Sequence, residues 1–146
     1  MKKIRMINTI RNSLALKTAL VLAAVLIAFQ GQAVGMVTGL AATDAYRLIA
    51  ARGGDPQFAI IDMRTPAEFK QGHIAGAELI DYYSPDFKAE LDRLDRGRTY
   101  LIYCRSGNRS GKALKMMADK GFDRVYHLDG GILDWRSQGL PLVQSH

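Results

Sequence analysis

Cys104 is the only cysteine in a chain of 146 residues, and it lies where a nucleophile is well placed to react. The run T-Y-L-I-Y (99–103) predicts a strand that ends at this cysteine, and a helix is predicted over 109–120, after a short loop. In open α/β sheets, ligands bind beyond the carboxyl ends of strands, where the N-termini of helices point. Backbone N–H groups in such a turn and the helix dipole favour a thiolate over a thiol. We therefore expect Cys104 to be a solvent-facing nucleophile with a lowered pKa.

The loop after Cys104 carries the charge and the polar groups that this chemistry needs. Arg105 and Arg109 add positive charge, which favours a thiolate and an anionic ligand, and Gly107 lets the backbone curl. The small polar side chains of the loop are Ser106, Asn108 and Ser110. Such donors would also stabilise negative charge on a second sulfur atom bound to Cys104. The alternative is an inert cysteine buried at a strand end, but a purely structural site needs neither two arginines nor Gly-Asn.

Strands and helices alternate along the chain that must position this loop. Short apolar runs predict strands over 58–63, 77–81, 99–103 and 124–128. Helical spacing predicts helices over 44–52, from Pro66 onward, and over 87–94, 109–120 and 132–138. Thr65 with Glu68, and Ser84 with Pro85, are the predicted helix-start signals of the second and third helices. This alternation favours an α/β fold with a central parallel sheet and helices on both faces.

The excess of positive charge belongs to the first 33 residues. The 20 Lys and Arg outnumber the 14 Asp and Glu, for a net charge of +6. Five of the basic residues and none of the acidic ones lie in residues 1–33, so the remaining 15 basic residues face 14 acidic ones, a net of +1. A basic surface for nucleic acid is therefore not expected, and residues 34–146 have the usual length of one domain.

Residues 1–33 have the three-part pattern of a secretory signal peptide. A basic stretch of 17 residues precedes an uncharged apolar run over 18–29, and G-Q-A (31–33) follows. The pattern predicts cleavage after Ala33 and export to the periplasm or the cell exterior. The apolar run resumes weakly after Gln30, so a membrane anchor built on residues 18–29 is the alternative. Residues 34–42 are predicted to be an uncharged linker.

Four segments of the chain together resemble the rhodanese (thiosulfate sulfurtransferase) family, as a single-domain member. They are I-I-D-M-R-T-P-A-E-F (60–69), G-H-I-A-G-A (72–77), Y-C-R-S-G-N-R-S (103–110) and G-F-D-R-V-Y-H-L-D-G-G-I-L-D-W (121–135). Each segment is weak alone, but four in this order and at this spacing are specific, and G-L-P (139–141) also fits. The resemblance implies a rhodanese-like domain over residues 43–142, followed by a tail over 143–146.

By this resemblance Cys104 is the catalytic nucleophile of a sulfurtransferase. It would carry a sulfane sulfur as a persulfide from a donor such as thiosulfate to a thiophilic acceptor. The substrate-binding residues would be Arg105, Ser106, Gly107, Asn108 and Arg109. Neither a metal nor an organic cofactor is expected. The partners would be a small-molecule sulfur donor and a thiophilic acceptor, or a protein that serves as donor or acceptor. No nucleic acid is expected as a partner, and a membrane is expected only if the leader is uncleaved. The alternative is a rhodanese-like sulfur-carrier or protein-binding module with little turnover on thiosulfate.

The spacing of the loop distinguishes this family from phosphatases of similar architecture. Cysteine phosphatases and arsenate reductases of this fold carry C-x5-R, whereas Cys104 to Arg109 is C-x4-R. The larger tetrahedral phosphate needs the wider loop. Tyr103, moreover, stands where phosphatases usually carry His. We therefore do not expect phosphatase or arsenate reductase activity.

Five further residues are predicted to support the site: Asp62, Arg64, Glu68, His73 and Ser110. Asp62 and Arg64 follow a strand, where they either brace the active-site loop or meet the donor, or form a local ion pair with each other or with Glu68. His73 is expected to form a structural hydrogen bond, because an ionised thiolate needs no catalytic base.

Overall fold

The fold is defined by a computed structural model that describes residues 36–144. The predicted leader over residues 1–33 lies outside the described residues, as do residues 145 and 146. Within the described part, the strands are β1 (Met36–Leu40), β2 (Phe58–Asp62), β3 (Ala77–Leu79), β4 (Thr99–Tyr103) and β5 (Arg124–Leu128). The helices there are α1 (Ala42–Arg52), α2 (Pro66–Lys70), α3 (Phe87–Arg93), α4 (Asn108–Asp119) and α5 (Gly131–Ser137).

The strands form one parallel sheet in the order β1-β5-β4-β2-β3. β4, which precedes Cys104, lies in the middle of this sheet and pairs with β2 and β5. All five of its residues are buried, as expected of a parallel strand covered on both faces. The predicted α/β fold with a central parallel sheet is confirmed.

The prediction that residues 34–42 are a linker is wrong. Residues 36–40 form β1, which pairs with β5 over five residues, from Met36 beside Arg124 to Leu40 beside Leu128. The segment M-V-T-G-L is short and carries no strong strand signal, but β5 offers it a full row of backbone hydrogen-bonding groups. The next helix, α1, begins at Ala42, and the carboxylate of Asp134 accepts the Ala42 N–H at 3.0 Å. A carboxylate far along the chain thus satisfies an N–H group at the start of this helix, which has no cap from a neighbouring side chain.

Two apolar clusters cover the two faces of the sheet. Alternate residues of β4 contribute to each cluster, because side chains of a strand point alternately to opposite faces. Tyr100 and Ile102 lie in the cluster beneath α3 and α4, together with Cys104. Leu101 and Tyr103 lie in the opposite cluster, with buried residues of α1 and α5.

The helix starts follow the sequence signals in one case and depart from them in another. The capping box of Thr65 and Glu68 is confirmed: the Thr65 hydroxyl oxygen accepts the Glu68 N–H, and the Glu68 carboxylate accepts the Thr65 N–H. Ser84 was expected to cap α3, but this helix begins at Phe87. The Ser84 hydroxyl oxygen instead accepts the Asp86 N–H at 3.1 Å, so Ser84 stabilises a turn that precedes the helix.

The predicted tail begins one residue too early. Val143 forms an antiparallel bridge with His73, with backbone hydrogen bonds of 2.9 Å in both directions. The indole N–H of Trp135 donates to the Pro141 carbonyl at 2.9 Å and holds the same segment against the domain. Among residues 36–144, none of the helices is both long enough and apolar enough to cross a membrane.

Candidate active site

Cys104 directly follows the central strand β4, at the carboxyl edge of the sheet. Its side chain continues the row of Tyr100 and Ile102 and belongs to their apolar cluster. The residue is 1% exposed, so the expectation of a solvent-facing sulfur is wrong. The reason is the alternation along β4, which directs the side chain beneath the loop rather than outward.

The loop encloses the sulfur with hydrogen-bond donors. Burial raises the pKa of the Cys104 thiol, but hydrogen bonds from the Ser110 hydroxyl and from the N–H groups of Ser110, Ser106 and Arg109 lower it, and the net shift is downward. The donors outweigh desolvation because each of them stabilises the anion. The site therefore favours a thiolate, in the direction that the sequence predicts.

Two glycines let this loop dock on the turn between β5 and α5. Gly107 has a φ of +86°, and a Cβ there would lie 1.9 Å from the carbonyl oxygen of Asp129. Gly131 has a φ of +59°, and a Cβ there would lie 2.6 Å from the Cys104 carbonyl oxygen. At the start of α5, the Ile132 N–H donates to the Cys104 carbonyl at 2.9 Å and the Leu133 N–H to the Arg105 carbonyl at 3.1 Å. In the sequence this turn is recognisable only by its Gly130-Gly131 pair. In the structure it supports the loop that follows Cys104.

Arg109 is held by Glu68, which α2 brings to the site. The guanidinium makes two hydrogen bonds to the carboxylate, of 2.9 and 2.8 Å, and lies 5.4 Å from the centre of the Tyr83 ring. The hydrogen bond from Arg109 is the main cause that lowers the pKa of Glu68 to about 2, and Glu68 in turn raises the pKa of Arg109. The capping box also holds the Glu68 side chain in place, because the Glu68 carboxylate accepts hydrogen bonds from the N–H and hydroxyl groups of Thr65.

The remaining loop side chains lie at the surface. Arg105, Ser106 and Asn108 are exposed. Among residues 36–144, no carboxylate forms an ion pair with Arg105. The two loop arginines therefore differ: one is neutralised by a partner, and the other presents its charge to solvent.

Asp62 and Arg64 form a buried ion pair on the other face of the sheet. The guanidinium donates to the carboxylate at 2.6 and 2.9 Å, and its Nη2 also donates to the Gly72 carbonyl at 2.8 Å. Asp62 is in register with Tyr103, whose ring centre lies 5.7 Å from the Arg64 guanidinium. Tyr103 belongs to the cluster opposite that of Cys104, so this pair is not directed at the sulfur. It is the local ion pair that the sequence left as one of its alternatives.

His73 also lies away from the sulfur. Its ring stacks on Phe69 at 3.7 Å between centres, and its Nδ1 lies 3.1 Å from the Phe69 carbonyl oxygen. These contacts, together with the backbone bridge to Val143, connect α2 to the end of the domain.

His127 and Asp129, which the sequence reasoning did not select, extend the site beneath the loop. His127 is 7% exposed, and its ring nitrogens lie 2.9 Å from Ser110 Oγ and 2.9 Å from Asp129 Oδ1. A signal was present in the sequence, because residues two apart at the end of a strand point to the same side. Among residues 36–144, no group of three or more His, Cys, Asp or Glu side chains is arranged to hold a metal ion.

Comparisons with known proteins agree on one family. Residues 42–138 match the rhodanese-like domain. A sulfurtransferase of Allochromatium vinosum is 38% identical over 84 residues, which are 58% of this chain and 77% of that protein. An uncharacterized protein of Synechocystis is 38% identical over 88 residues, 59% of this chain, and the chain spans about half of its length, 47%. The crystal structure of a rhodanese-related protein from Thermoplasma volcanium matches with a TM-score of 0.64 at 28% identity, over 74% of this chain and 99% of that one.

Proposed function

Because this chain belongs to the rhodanese-like domain family, we propose that it transfers sulfane sulfur through a persulfide on Cys104, with thiosulfate as a donor. Sulfur transfer in the broad sense is supported by the family and by the relative named as a sulfurtransferase. The observation that carries the proposal for this chain is the lowered pKa of Cys104 inside a ring of N–H and O–H donors. A thiolate is the nucleophile that attack on a sulfur atom requires.

The reaction has two steps that balance at sulfur. The Cys104 thiolate attacks the outer sulfur of thiosulfate, the new S–S bond forms, and sulfite leaves with the electron pair of the old S–S bond. A thiophilic acceptor such as cyanide then attacks the outer sulfur of the persulfide, thiocyanate forms, and the electron pair returns to the Cys104 thiolate. Each step is a displacement at sulfur and needs no added oxidant or reductant. This is double-displacement catalysis through a covalent intermediate.

The loop contributes to both steps through its backbone. The N–H groups of Ser106, Arg109 and Ser110 that stabilise the thiolate would also stabilise the negative charge on the outer sulfur of the persulfide. The anchored carbonyls of Cys104 and Arg105 keep these donors in place without rearrangement. The exposed guanidinium of Arg105 is placed to attract an anionic donor.

The proposal is tested with the purified full-length chain, thiosulfate and cyanide. We expect thiocyanate formation that Cys104→Ser abolishes, and we expect mass spectrometry to find one added sulfur atom after thiosulfate alone. Ser137→Ala, on the exposed end of α5, is the matched control and should retain the wild-type rate. Equal activity in Cys104→Ser would contradict the proposal.

One observation favours the alternative of a sulfur-carrier or protein-binding module. Glu68 occupies the Arg109 guanidinium, so the loop offers an anionic donor only the charge of Arg105. A module of this kind would take up sulfur quickly from a protein persulfide and turn thiosulfate over slowly. Rapid persulfide formation from a persulfidated protein, beside negligible thiocyanate formation from thiosulfate, would favour this second function.

A further inference from the structure

The guanidinium of Arg109 is already bound to an anion that belongs to the protein. Its Nη1 and Nη2 atoms donate to the two oxygens of the Glu68 carboxylate at 2.9 and 2.8 Å. A guanidinium binds a phosphate or sulfate group through the same two-point contact. The rest of the Arg109 side chain is poorly accessible, since it is only 13% exposed and the Tyr83 ring centre lies 5.4 Å from the guanidinium carbon. An oxyanion therefore cannot take this edge of Arg109 without displacing Glu68.

The Glu68 carboxylate is held from a second side, which opposes its displacement. Its Oε2 atom accepts the Thr65 N–H at 3.0 Å and the Thr65 hydroxyl at 3.1 Å. The Thr65 hydroxyl oxygen also accepts the Glu68 N–H at 3.3 Å, which completes the capping box of α2. The contacts with Thr65 do not depend on Arg109, so the start of α2 keeps the carboxylate in front of the guanidinium.

The charges around the loop leave little attraction for an anion with two charges. The Glu68 side chain is 26% exposed, twice the fraction of Arg109, so an anion that approaches this ion pair meets the carboxylate before the guanidinium. Arg105 is exposed and is the loop arginine that remains to attract an anion. The two arginines, the Glu68 carboxylate and the Cys104 thiolate sum to no net charge, so a second negative charge on a ligand gains no net attraction from them.

We propose that Glu68 is a specificity-determining residue: by occupying Arg109, it makes the site select sulfane-sulfur donors with one negative charge over donors with two. Thiosulfate carries two negative charges, whereas a thiosulfonate or an organic persulfide carries one at its reacting end. In naming sulfur donors, this inference rests on the proposed function; in naming the charge of the molecule that reaches Cys104, it does not.

The first test compares two alkylating reagents that differ by one charge, the neutral iodoacetamide and the negative iodoacetate, on the full-length chain. Cys104 is the only cysteine, and the ratio of the two rates cancels any change in its pKa because both reagents consume the thiolate. Glu68→Gln should raise the rate with iodoacetate relative to that with iodoacetamide by about three- to tenfold, the effect of one unit charge several ångströms away in partly aqueous surroundings. Glutamine also serves in a capping box, so the start of α2 is retained.

Control variants separate charge from shape. Glu68→Asp keeps the negative charge on a shorter side chain and should keep the wild-type ratio. Glu78→Gln removes an exposed carboxylate of β3 and should also leave the ratio unchanged. High salt should reduce the difference between Glu68→Gln and the wild type, because salt screens a charge effect and not a change of shape. An unchanged ratio in folded Glu68→Gln, or an equal rise in Glu68→Asp, would overturn the inference whether or not the protein transfers sulfur.

A measurement on the wild type needs no substitution. Inorganic sulfate at low millimolar concentration should protect Cys104 from iodoacetamide no better than sodium chloride of the same ionic strength, because Glu68 holds the edge of Arg109 that would bind it. Strong protection by sulfate would show that Arg109 remains available to oxyanions and would refute the inference.

The second test compares two sulfur donors, thiosulfate and methanethiosulfonate, with cyanide as the acceptor. Methanethiosulfonate yields the same persulfide, because the Cys104 thiolate attacks its outer sulfur and methanesulfinate leaves with the electron pair of the old S–S bond. Glu68→Gln should raise kcat/KM for thiosulfate relative to that for methanethiosulfonate by about three- to tenfold. An unchanged donor ratio in an active Glu68→Gln variant would contradict the selection of donors by charge. A changed alkylation ratio in a protein that accepts sulfur from neither donor would support the role of Glu68 and reject the proposed function.

Discussion

Arg105 and Arg109 flank the same loop, yet their surroundings give them different tasks. Arg105 directly follows the nucleophile, is exposed, and forms no ion pair within residues 36–144. Arg109 is only partly exposed and is bound by Glu68, and its charge interacts with the Cys104 thiolate. Arg105 is therefore suited to attract a donor, and Arg109 to stabilise the thiolate and the loop.

Replacing each arginine by alanine should separate these tasks. Arg105→Ala should raise the KM for thiosulfate and lower kcat/KM by about tenfold, the effect of one charge-assisted contact. Arg109→Ala should raise the pKa of Cys104, because it removes a positive charge that interacts with the thiolate. The measurements are thiosulfate kinetics and the pH profile of alkylation, with Arg47→Ala on α1 as the surface control. A shifted profile in Arg105→Ala beside an unchanged one in Arg109→Ala would show that the two tasks are exchanged.

The Glu68 carboxylate should make stability depend on pH in the acid range. Its pKa is lowered from 4.5 to about 2 in the folded protein, so the folded state binds fewer protons than the unfolded state between these values. The stabilisation is therefore complete above about pH 4.5 and is lost as the pH falls toward 2. Glu68→Gln should lower the free energy of unfolding by about 1–3 kcal/mol at neutral pH.

Urea denaturation at several pH values checks this expectation. The difference between the wild type and Glu68→Gln should close below pH 4.5. Glu78→Gln, at an exposed carboxylate that takes part in none of the ion pairs of residues 36–144, should show no such difference. A gap that stays constant down to pH 2 would mean that the ion pair with Arg109 does not stabilise the fold.

At the scale of elements, the reactive loop and the turn between β5 and α5 act as one unit. Gly107→Ala should therefore lower the free energy of unfolding by more than the strain of its positive φ alone would, because the new Cβ would clash with the Asp129 carbonyl. Gly121→Ala is a matched control: its φ of +82° is nearly the same, and no atom lies within 4 Å of its added Cβ. We expect Gly121→Ala to cost about 1–2 kcal/mol of stability and to keep sulfur transfer. Gly107→Ala should cost more in urea denaturation and lose the transfer, and equal losses in the two variants would argue against the docked loop.

The sequence predicts strands β2 to β5 and misses β1, which lies at one edge of the sheet. Strands over 99–103 and 124–128 are found at the predicted residues, because buried apolar runs between turn signals have few alternative conformations. β1 was missed because M-V-T-G-L forms a strand only through its pairing with β5, which lies far along the chain. The role of Ser84 as the cap of α3 was misjudged, since a serine before a proline stabilises a turn as readily as a helix.

The same distinction, between local sequence signals and contacts that join distant parts of the chain, applies to the site. The position of Cys104 and the direction of its pKa shift follow from local features, a strand end and a polar loop. The bond between Glu68 and Arg109 and the approach of His127 to Ser110 join separate elements. Such contacts depend on strand order, which no local pattern specifies.

For the whole molecule, we propose export with removal of residues 1–33. Cleavage after Ala33 would leave β1 complete, because the strand begins at Met36. N-terminal sequencing of the exported protein should find Val34, and a sequence starting at Met1 would contradict the proposal.

Removal of β1 should destabilise the domain. A chain that begins at Ala42 lacks the strand beside β5, whereas a chain that begins at Val34 keeps it. We expect the shorter chain to lose at least about 2 kcal/mol of stability, since several ladder hydrogen bonds worth about 0.5–1.5 kcal/mol each are lost. Thermal unfolding of the two chains measures the difference, and equal midpoints would show that β1 contributes little.

The burial of Cys104 bears on its survival in the oxidising compartment that the proposed export would reach. A bond between the cysteines of two protein molecules needs their Cα atoms within about 7 Å of each other, and Cys104 lies beneath its own loop with 1% of its surface exposed. Two copies of this domain therefore cannot cross-link through their only thiol without unfolding the loop. Because the loop covers the thiolate, the surface of another folded protein cannot reach it. Reagents that are small, or that carry sulfur at the tip of a narrow, flexible chain, have better access to Cys104.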